Sequence, residues 1–219
     1  MRVSFFNVPI LLIPTDIKVC FCHTCIHTVL TGDFGFTDGG YYSIATAMVF
    51  GSTTSASSWD PIRQAIEAMS EVFVDRQDLV IKHCCYLDMI QWAEIDLTMK
   101  ITPAIACAIL CGLPENLKSK IRQKACIFVD DALMLALCPA HIEWMLAALI
   151  EAIFVVMGKP DTVLRQCPLA MYKWLELVVG PILIMLGLII NTNKLTVAIL
   201  EKCISELCNL INTTWYVNR

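Results

Sequence analysis

The chain has 219 residues, of which 57% are hydrophobic and 16% are charged, and its formal net charge is -4. This length is enough for one large domain or two small ones with a real core. The acidic balance argues against tight nucleic-acid binding by this chain alone. The mean hydropathy of +0.66 means that a membrane protein must be considered.

The N-terminus resembles a signal peptide, with Arg2 ahead of an apolar stretch over residues 3 to 13. Pro14-Thr15-Asp16 follows instead of a small-x-small cleavage site, so we expect an intracellular protein of the cytoplasm or nucleus. An extended run is predicted over residues 16 to 27. Its dense cysteines and histidines could bind zinc, although alternate residues also fit a strand and no second ligand pair follows at zinc-finger spacing. The residues of this cluster are Cys20, Cys22, His23, Cys25 and His27.

The next apolar run covers residues 41 to 50 and is followed by a polar loop. A helix is predicted from Asp60-Pro61 to about Val74, because aspartate is a good N-cap and proline is favoured at the first helical position. Residues 75 to 124 show no clear periodicity. The short basic cluster at their end, over residues 118 to 124, is typical of a solvated loop, with nucleic-acid contact as the alternative.

Two adjacent carboxylates, Asp130 and Asp131, lie between apolar runs over residues 125 to 129 and 132 to 137. This pattern predicts a hairpin, because neighbouring like charges are too costly to bury unless a cation holds them. An acidic surface turn is the simple interpretation, and a divalent-metal site is the alternative. A hairpin apex could aim both carboxylates at one ion, whereas adjacent residues within a strand point to opposite faces.

A second helix is predicted from Pro139 to about Met157, where Gly158 and Pro160 end it. The weakly charged stretch over residues 177 to 191 is shorter than the ~20 residues that a membrane-spanning helix needs.

A second hairpin is predicted from two β-branched runs, residues 185 to 190 and 195 to 199, which flank a polar turn. A last helix is expected over roughly residues 201 to 211. The order of elements predicts an α+β fold, in which helices pack on one face of an antiparallel sheet.

Asp16, at the start of the first extended run, offers a third carboxylate. Three carboxylates that converge on an open sheet face can hold two Mg²⁺ ions about 3.5 to 4 Å apart, as in-line nucleotidyl transfer requires. One ion would activate the attacking 3′-hydroxyl and the other would stabilise the leaving pyrophosphate. Other aspartates are candidates for this third carboxylate, but none lies at the edge of a strand-like run with a plausible partner. They are Asp33, Asp38, Asp60, Asp88 and Asp96.

Four segments stand in order along the chain: Asp16-Ile17-Lys18-Val19-Cys20-Phe21, Phe50-Gly51, Phe128-Val129-Asp130-Asp131 and Met185-Leu186-Gly187. Their order and spacing resemble the palm motifs of retroelement reverse transcriptases, with a hairpin similar to the primer grip of tyrosine-recombinase retrotransposons. Each motif alone is short, but four in register are fairly specific. The resemblance covers roughly residues 13 to 212.

The resemblance implies a polymerase palm in which Asp16, Asp130 and Asp131 are the catalytic ligands of Mg²⁺ or Mn²⁺. It also implies substrate contacts. Phe21 would exclude the 2′-hydroxyl of a ribonucleotide, Phe50 and Gly51 would pack against the incoming nucleotide and template, and Lys173 would lie near the triphosphate. Leu186 and Gly187 would position the primer end.

The same resemblance divides the chain into three parts. Residues 1 to 15 stand in place of the fingers, residues 16 to 199 form the palm with a primer-grip-like hairpin at 185 to 199, and residues 200 to 219 begin a thumb or connection helix. The implied partners are deoxynucleoside triphosphates and an RNA or DNA template with its primer, and no membrane. Cys22 stands where arginine is usual, which removes a phosphate-binding group.

Three hypotheses stay open at this stage. The first is an RNA-directed DNA polymerase palm, which the missing fingers and thumb lead us to expect as a partial or inactive copy. The second is a catalytically dead retroelement remnant that acts at most as a binding module. The third is a membrane-associated protein whose apolar runs are helices in lipid.

Overall fold

The computed structural model describes residues 10–18, 35–38, 40–44, 55–93, 125–136, 139–161 and 167–215. The strands of these ranges are β1 (Leu11–Asp16), β2 (Gly35–Asp38), β3 (Tyr41–Ile44), β4 (Gln91–Trp92), β5 (Cys126–Phe128), β6 (Asp131–Ala136), β7 (Val178–Val179), β8 (Ile182–Met185), β9 (Leu188–Asn191) and β10 (Thr196–Ile199). The helices are α1 (Ser55–Phe73), α2 (Asp78–Lys82), α3 (Cys84–Leu87), α4 (Pro139–Met157), α5 (Met171–Trp174) and α6 (Glu201–Leu210), and α6 continues into a π-helical turn over Ile211–Trp215.

The central sheet is antiparallel, in the order β1-β6-β5. Alternate residues of β6 face opposite sides, and Ala132, Met134 and Ala136 are buried on the side that α4 covers. Helices α1 and α4 pack extensively on each other. The core therefore lies between one face of this sheet and a helical layer. On the opposite face β5 and β6 are partly exposed, whereas Leu12 and Asp16 of β1 are buried.

The mixed helical and antiparallel architecture confirms the α+β prediction. Helix α4 has the predicted bounds, because proline at its start and glycine directly after its end are local signals. The stretch over residues 177 to 191 forms strands instead of a helix. Within the ranges that the structure describes, no helix combines the length and the apolar character needed to cross a membrane.

A second antiparallel sheet, in the order β8-β9-β10, follows the first near the end of the chain. It is attached to β1 by main-chain hydrogen bonds between Leu12 and Gly180, with N···O distances of 2.8 and 3.2 Å. Thr192 adds a hydrogen bond from its hydroxyl to the Ile10 carbonyl at 2.6 Å. Strand β1 is therefore flanked by β6 on one side and by the chain around Gly180 on the other.

The predicted start of the first helix at Asp60 was wrong. Helix α1 begins at Ser55, and Pro61 lies inside it. The Asp60 carboxylate accepts hydrogen bonds from Arg63 and Gln64. Trp59, only 2% exposed, anchors the additional N-terminal turn in the core, which is a tertiary effect that outweighs the local preference.

Two strand boundaries also differ from the prediction. Asp16 is the last residue of β1 and not the first residue of a strand, because the strand begins at Leu11. Met185 ends β8, and Leu186-Gly187 forms a turn before β9, so the run over residues 185 to 190 is not one strand. The hairpin between β9 and β10 and the helix α6 confirm the predictions for those segments.

Candidate functional site

The hairpin between β5 and β6 has a two-residue loop, Val129-Asp130, flanked by the paired residues Phe128 and Asp131. Val129 has a φ of 59°, and Asp130 is not among the residues of positive φ. Positive φ at the first loop residue alone is the pattern of a type II′ turn, which normally requires glycine there. A β-branched residue in this conformation is strained, and such strain is concentrated at functional sites.

Helix α1 holds this hairpin through two side chains. The Trp59 indole donates a hydrogen bond to the Val129 carbonyl at 2.6 Å. The Ile127 amide donates to the Glu67 carboxylate at 2.8 Å, and Arg63 forms an ion pair with the same carboxylate at 2.7 Å. The strained turn is therefore fixed from the helical layer, on the face opposite the acids.

Asp16 and Asp131 are directly opposite each other on β1 and β6. The next pair along the ladder is hydrogen-bonded, since the Ile17 amide donates to the Asp130 carbonyl at 2.8 Å. Because hydrogen-bonded and non-hydrogen-bonded pairs alternate, Asp16 and Asp131 form a non-hydrogen-bonded pair, with Cα atoms about 4.5 Å apart and their side chains close. The predicted meeting of Asp16 with the acidic hairpin is thus present for Asp131.

The two carboxylates lie on the face of the sheet opposite α1 and α4, where Asp16 is buried beside α5 and Asp131 is half-buried. Thr15 and Ala132 are paired on the buried face, so Asp16 and Asp131, one residue along each strand, lie on the opposite face. Phe128 pairs with Asp131 on this face and is 62% exposed. The exposure of Phe128 was not predicted. The sequence does carry a signal for it, because the two residues that flank a two-residue hairpin loop pair with each other and so lie on the same face of the sheet.

Both carboxyl groups have a pKa above the ordinary range of aspartate. Burial is the main cause of the raised pKa of Asp16, and the charges of Asp130 and Asp131 add to it against the opposing effect of Lys173. Burial also raises the pKa of Asp131, and the charge of Asp130 adds to it. Ionising this face therefore costs free energy even with the ammonium of Lys173 beside Asp16.

Lys173 is the cation that reaches Asp16, and its ammonium forms an ion pair with Oδ2. The segment that carries it is fastened to the end of β1. The Ala170 amide donates to the Asp16 carbonyl at 3.3 Å, and the Lys18 amide donates to the Pro168 carbonyl at 2.9 Å. Trp174, 1% exposed, anchors the same segment in the core with its ring 6.4 Å from that of Tyr86. The sequence prediction placed Lys173 near a triphosphate, and the structure brings it to the acidic site.

Asp130 lies at the turn, half-buried, and its charge acts on both other acids. Carboxylate oxygens are the donors that Mg²⁺ and Mn²⁺ prefer, so the chemistry of this set fits such an ion. In the described ranges, however, no three side chains of the kinds that bind metals are gathered closely enough to hold one. The pair Asp16 and Asp131 is assembled, and Asp130 would have to turn towards it.

The predicted primer-positioning residues form the tip of the β8–β9 hairpin. Leu186 and Gly187 have φ values of 52° and 75°, the pattern of a type I′ turn. The Gly187 carbonyl accepts a hydrogen bond from the Leu200 amide at 2.8 Å, which ties the turn to the start of α6. The remaining predicted substrate residues, Phe21, Phe50 and Gly51, lie outside the described residues, as does the cluster of cysteines and histidines over residues 20 to 27.

The fold and this geometry define an α+β protein with paired carboxylates at the end of its central sheet. Comparison with protein-family models, with curated proteins and with solved structures finds no match for the chain. The resemblance to reverse transcriptases therefore stays a prediction from the sequence motifs.

Proposed function

We propose that the chain is the palm region of a reverse transcriptase-like nucleotidyl transferase, with Asp16 and Asp131 as its metal-binding pair. The observation that carries this proposal is their direct pairing on the face opposite α1 and α4, beside a strained two-residue turn. Two acids side by side destabilise a fold unless cations neutralise them, and the ion pair of Lys173 is with Asp16. A valine at positive φ is a further cost that a purely structural turn avoids by using glycine.

The residues of the site have separable tasks in this proposal. Asp16 and Asp131 would each contribute a carboxylate ligand to Mg²⁺ or Mn²⁺, and Asp130, at the turn, would contribute a third. The bound ions would supply Lewis-acid activation of a 3′-hydroxyl and charge stabilisation of the pyrophosphate. Phe128, exposed beside Asp131, offers a flat apolar surface against which a base or sugar of the primer end could stack.

A primer-extension assay on the purified protein tests this proposal. With a primed RNA or DNA template, deoxynucleoside triphosphates and Mg²⁺ or Mn²⁺, extension of the primer by the wild type would show that the palm is active. Asp131→Asn should reduce extension at least a hundredfold, because it removes a ligand with little change of shape. Asp88→Asn is the matched control, since Asp88 is exposed at the end of α3, and it should leave extension unchanged.

Absence of extension by the wild type with either ion would contradict an active polymerase. So would equal extension by the wild type and Asp131→Asn, because the paired carboxylates would then be dispensable.

A non-catalytic binding module is the second candidate, and the surface of the second sheet favours it. Apolar side chains are exposed on both of its faces, because the strand register places Ile182 and Ile184 of β8 on one face and Val197 and Ile199 of β10 on the other. The exposed fractions are 56% for Ile182, 59% for Ile184, 65% for Val197 and 58% for Ile199. If the chain is a non-catalytic binding module, the wild type should extend no primer.

A further inference from the structure

We propose that Lys173 is a built-in counter-cation that holds Oδ2 of the Asp16 carboxylate, and that a divalent ion competes with it for this carboxylate. This inference rests on the proposed function, because it assigns Asp16 to a metal. It adds a determinant of metal access that lies 157 residues along the chain from the carboxylate it controls.

The contact is built by the fold and is not a chance meeting of two surface charges. Residues 168 to 170 run beside the end of β1, where Ile17 and Leu169 form a β-bridge. This places α5, with Lys173 in its third position, over the Asp16 carboxylate. Trp174, the next residue, is buried and holds the short helix in place.

The two partners differ in their freedom to move. The Asp16 side chain is 7% exposed and stands on a paired strand, whereas the Lys173 side chain is 44% exposed. Lysine is a flexible stem with a strongly hydrated ammonium, so it can leave the contact for water at modest cost. The carboxylate cannot follow it. Metal entry therefore requires the lysine to turn away, while Asp16 stays in register with Asp131.

The divalent ion and the ammonium of Lys173 compete for the Asp16 carboxylate, because the two cations repel each other. A divalent ion bonded to Asp16 would lie within a few Å of an ammonium on the same carboxylate, and like charges at that distance repel strongly at a partly buried site. The lysine lowers metal affinity in this arrangement and also satisfies the buried carboxylate when no metal is bound. Loss of the ammonium should thus tighten metal binding.

Mn²⁺ affinity, measured by electron paramagnetic resonance of the free ion, tests this directly. We expect Lys173→Gln to bind Mn²⁺ about tenfold more tightly than the wild type. Lys194→Gln is the matched control, since it removes the same charge from an exposed hairpin turn and should change affinity less than twofold. Thermal unfolding of each variant verifies that it is folded.

A second readout follows the lysine itself. An amine-acetylating reagent, with the products mapped by mass spectrometry, should label Lys173 several-fold faster in saturating Mn²⁺ than without it, because displacement frees the amine. The labelling rate of Lys194 should not change.

The possible outcomes distinguish a failure of the role proposed for Lys173 from a failure of the proposed function. Mn²⁺ binding that is abolished by Asp131→Asn but unchanged by Lys173→Gln overturns the role of Lys173 and leaves the proposed function standing. Unchanged labelling of Lys173 in saturating Mn²⁺ has the same meaning. If neither the wild type nor Lys173→Gln binds Mn²⁺, the metal site fails, and the inference fails with it.

Discussion

Replacing Val129 by alanine and by glycine should reverse the usual order of stability of these two residues. Alanine keeps a Cβ atom at a φ of 59°, which costs roughly 1–2 kcal/mol, whereas glycine adopts this conformation freely. Glycine elsewhere is about 0.5–1 kcal/mol less favourable than alanine. Subtracting the ordinary disadvantage of glycine from the cost of alanine at positive φ leaves Val129→Gly more stable than Val129→Ala by about 0.5–1 kcal/mol. Both variants lose most of the packing of the valine side chain, so that loss largely cancels.

Chemical denaturation of the two variants measures this difference, and thermal unfolding should show a higher midpoint by about 1–4 °C for Val129→Gly. Alanine and glycine at Val197, an exposed residue of β10 whose φ is not positive, provide the control, and alanine should be the more stable there. Equal or greater stability of Val129→Ala would refute the strained turn on which the position of the acids depends.

Three further predictions concern the surroundings of the site. Trp59→Phe should lower the free energy of unfolding by about 2–3 kcal/mol, because the Val129 carbonyl loses the donor at 2.6 Å. Trp174→Phe should cost less, since its indole nitrogen is buried without a partner in the described part of the chain; urea denaturation compares the two. Burial lowers the pKa of His83, so the unfolded state binds its proton first and stability should fall as the pH drops below about 6.5, with a weaker slope in His83→Gln. Burial raises the pKa of Asp131, so its contribution is lost as the pH rises through the folded-state pKa; Asp131→Asn should therefore stabilise the metal-free protein at pH 7 and lose this advantage near pH 3.

Local signals in the sequence predicted much of the fold. The bounds of α4 follow from Pro139 and Gly158, and the acidic hairpin follows from two apolar runs around two carboxylates. These features depend on residues that are close together in the sequence, where backbone preferences and hydrophobic periodicity act. The start of α1 depends instead on the burial of Trp59 against a hairpin 70 residues away, and no local pattern carries that information.

The site was predictable in its composition but not in its arrangement. The sequence suggested three acids, and strand register then paired Asp16 with Asp131 and left Asp130 at the turn. Register depends on which side chains fill the core, a property of the assembled sheet. The ion pair of Lys173 with Asp16 joins two segments 157 residues apart. The resemblance could place both groups at one site, but it could not show that one forms an ion pair with the other.

Metal binding by Asp16 and Asp131 can be observed in a crystal of the wild-type protein soaked in Mn²⁺ and measured at the manganese absorption edge. We expect an anomalous peak bonded to carboxylate oxygens of both Asp16 and Asp131, with the ammonium of Lys173 turned away from Oδ2. A map without a peak between these two carboxylates, with Lys173 still paired to Asp16 at saturating Mn²⁺, would contradict this expectation.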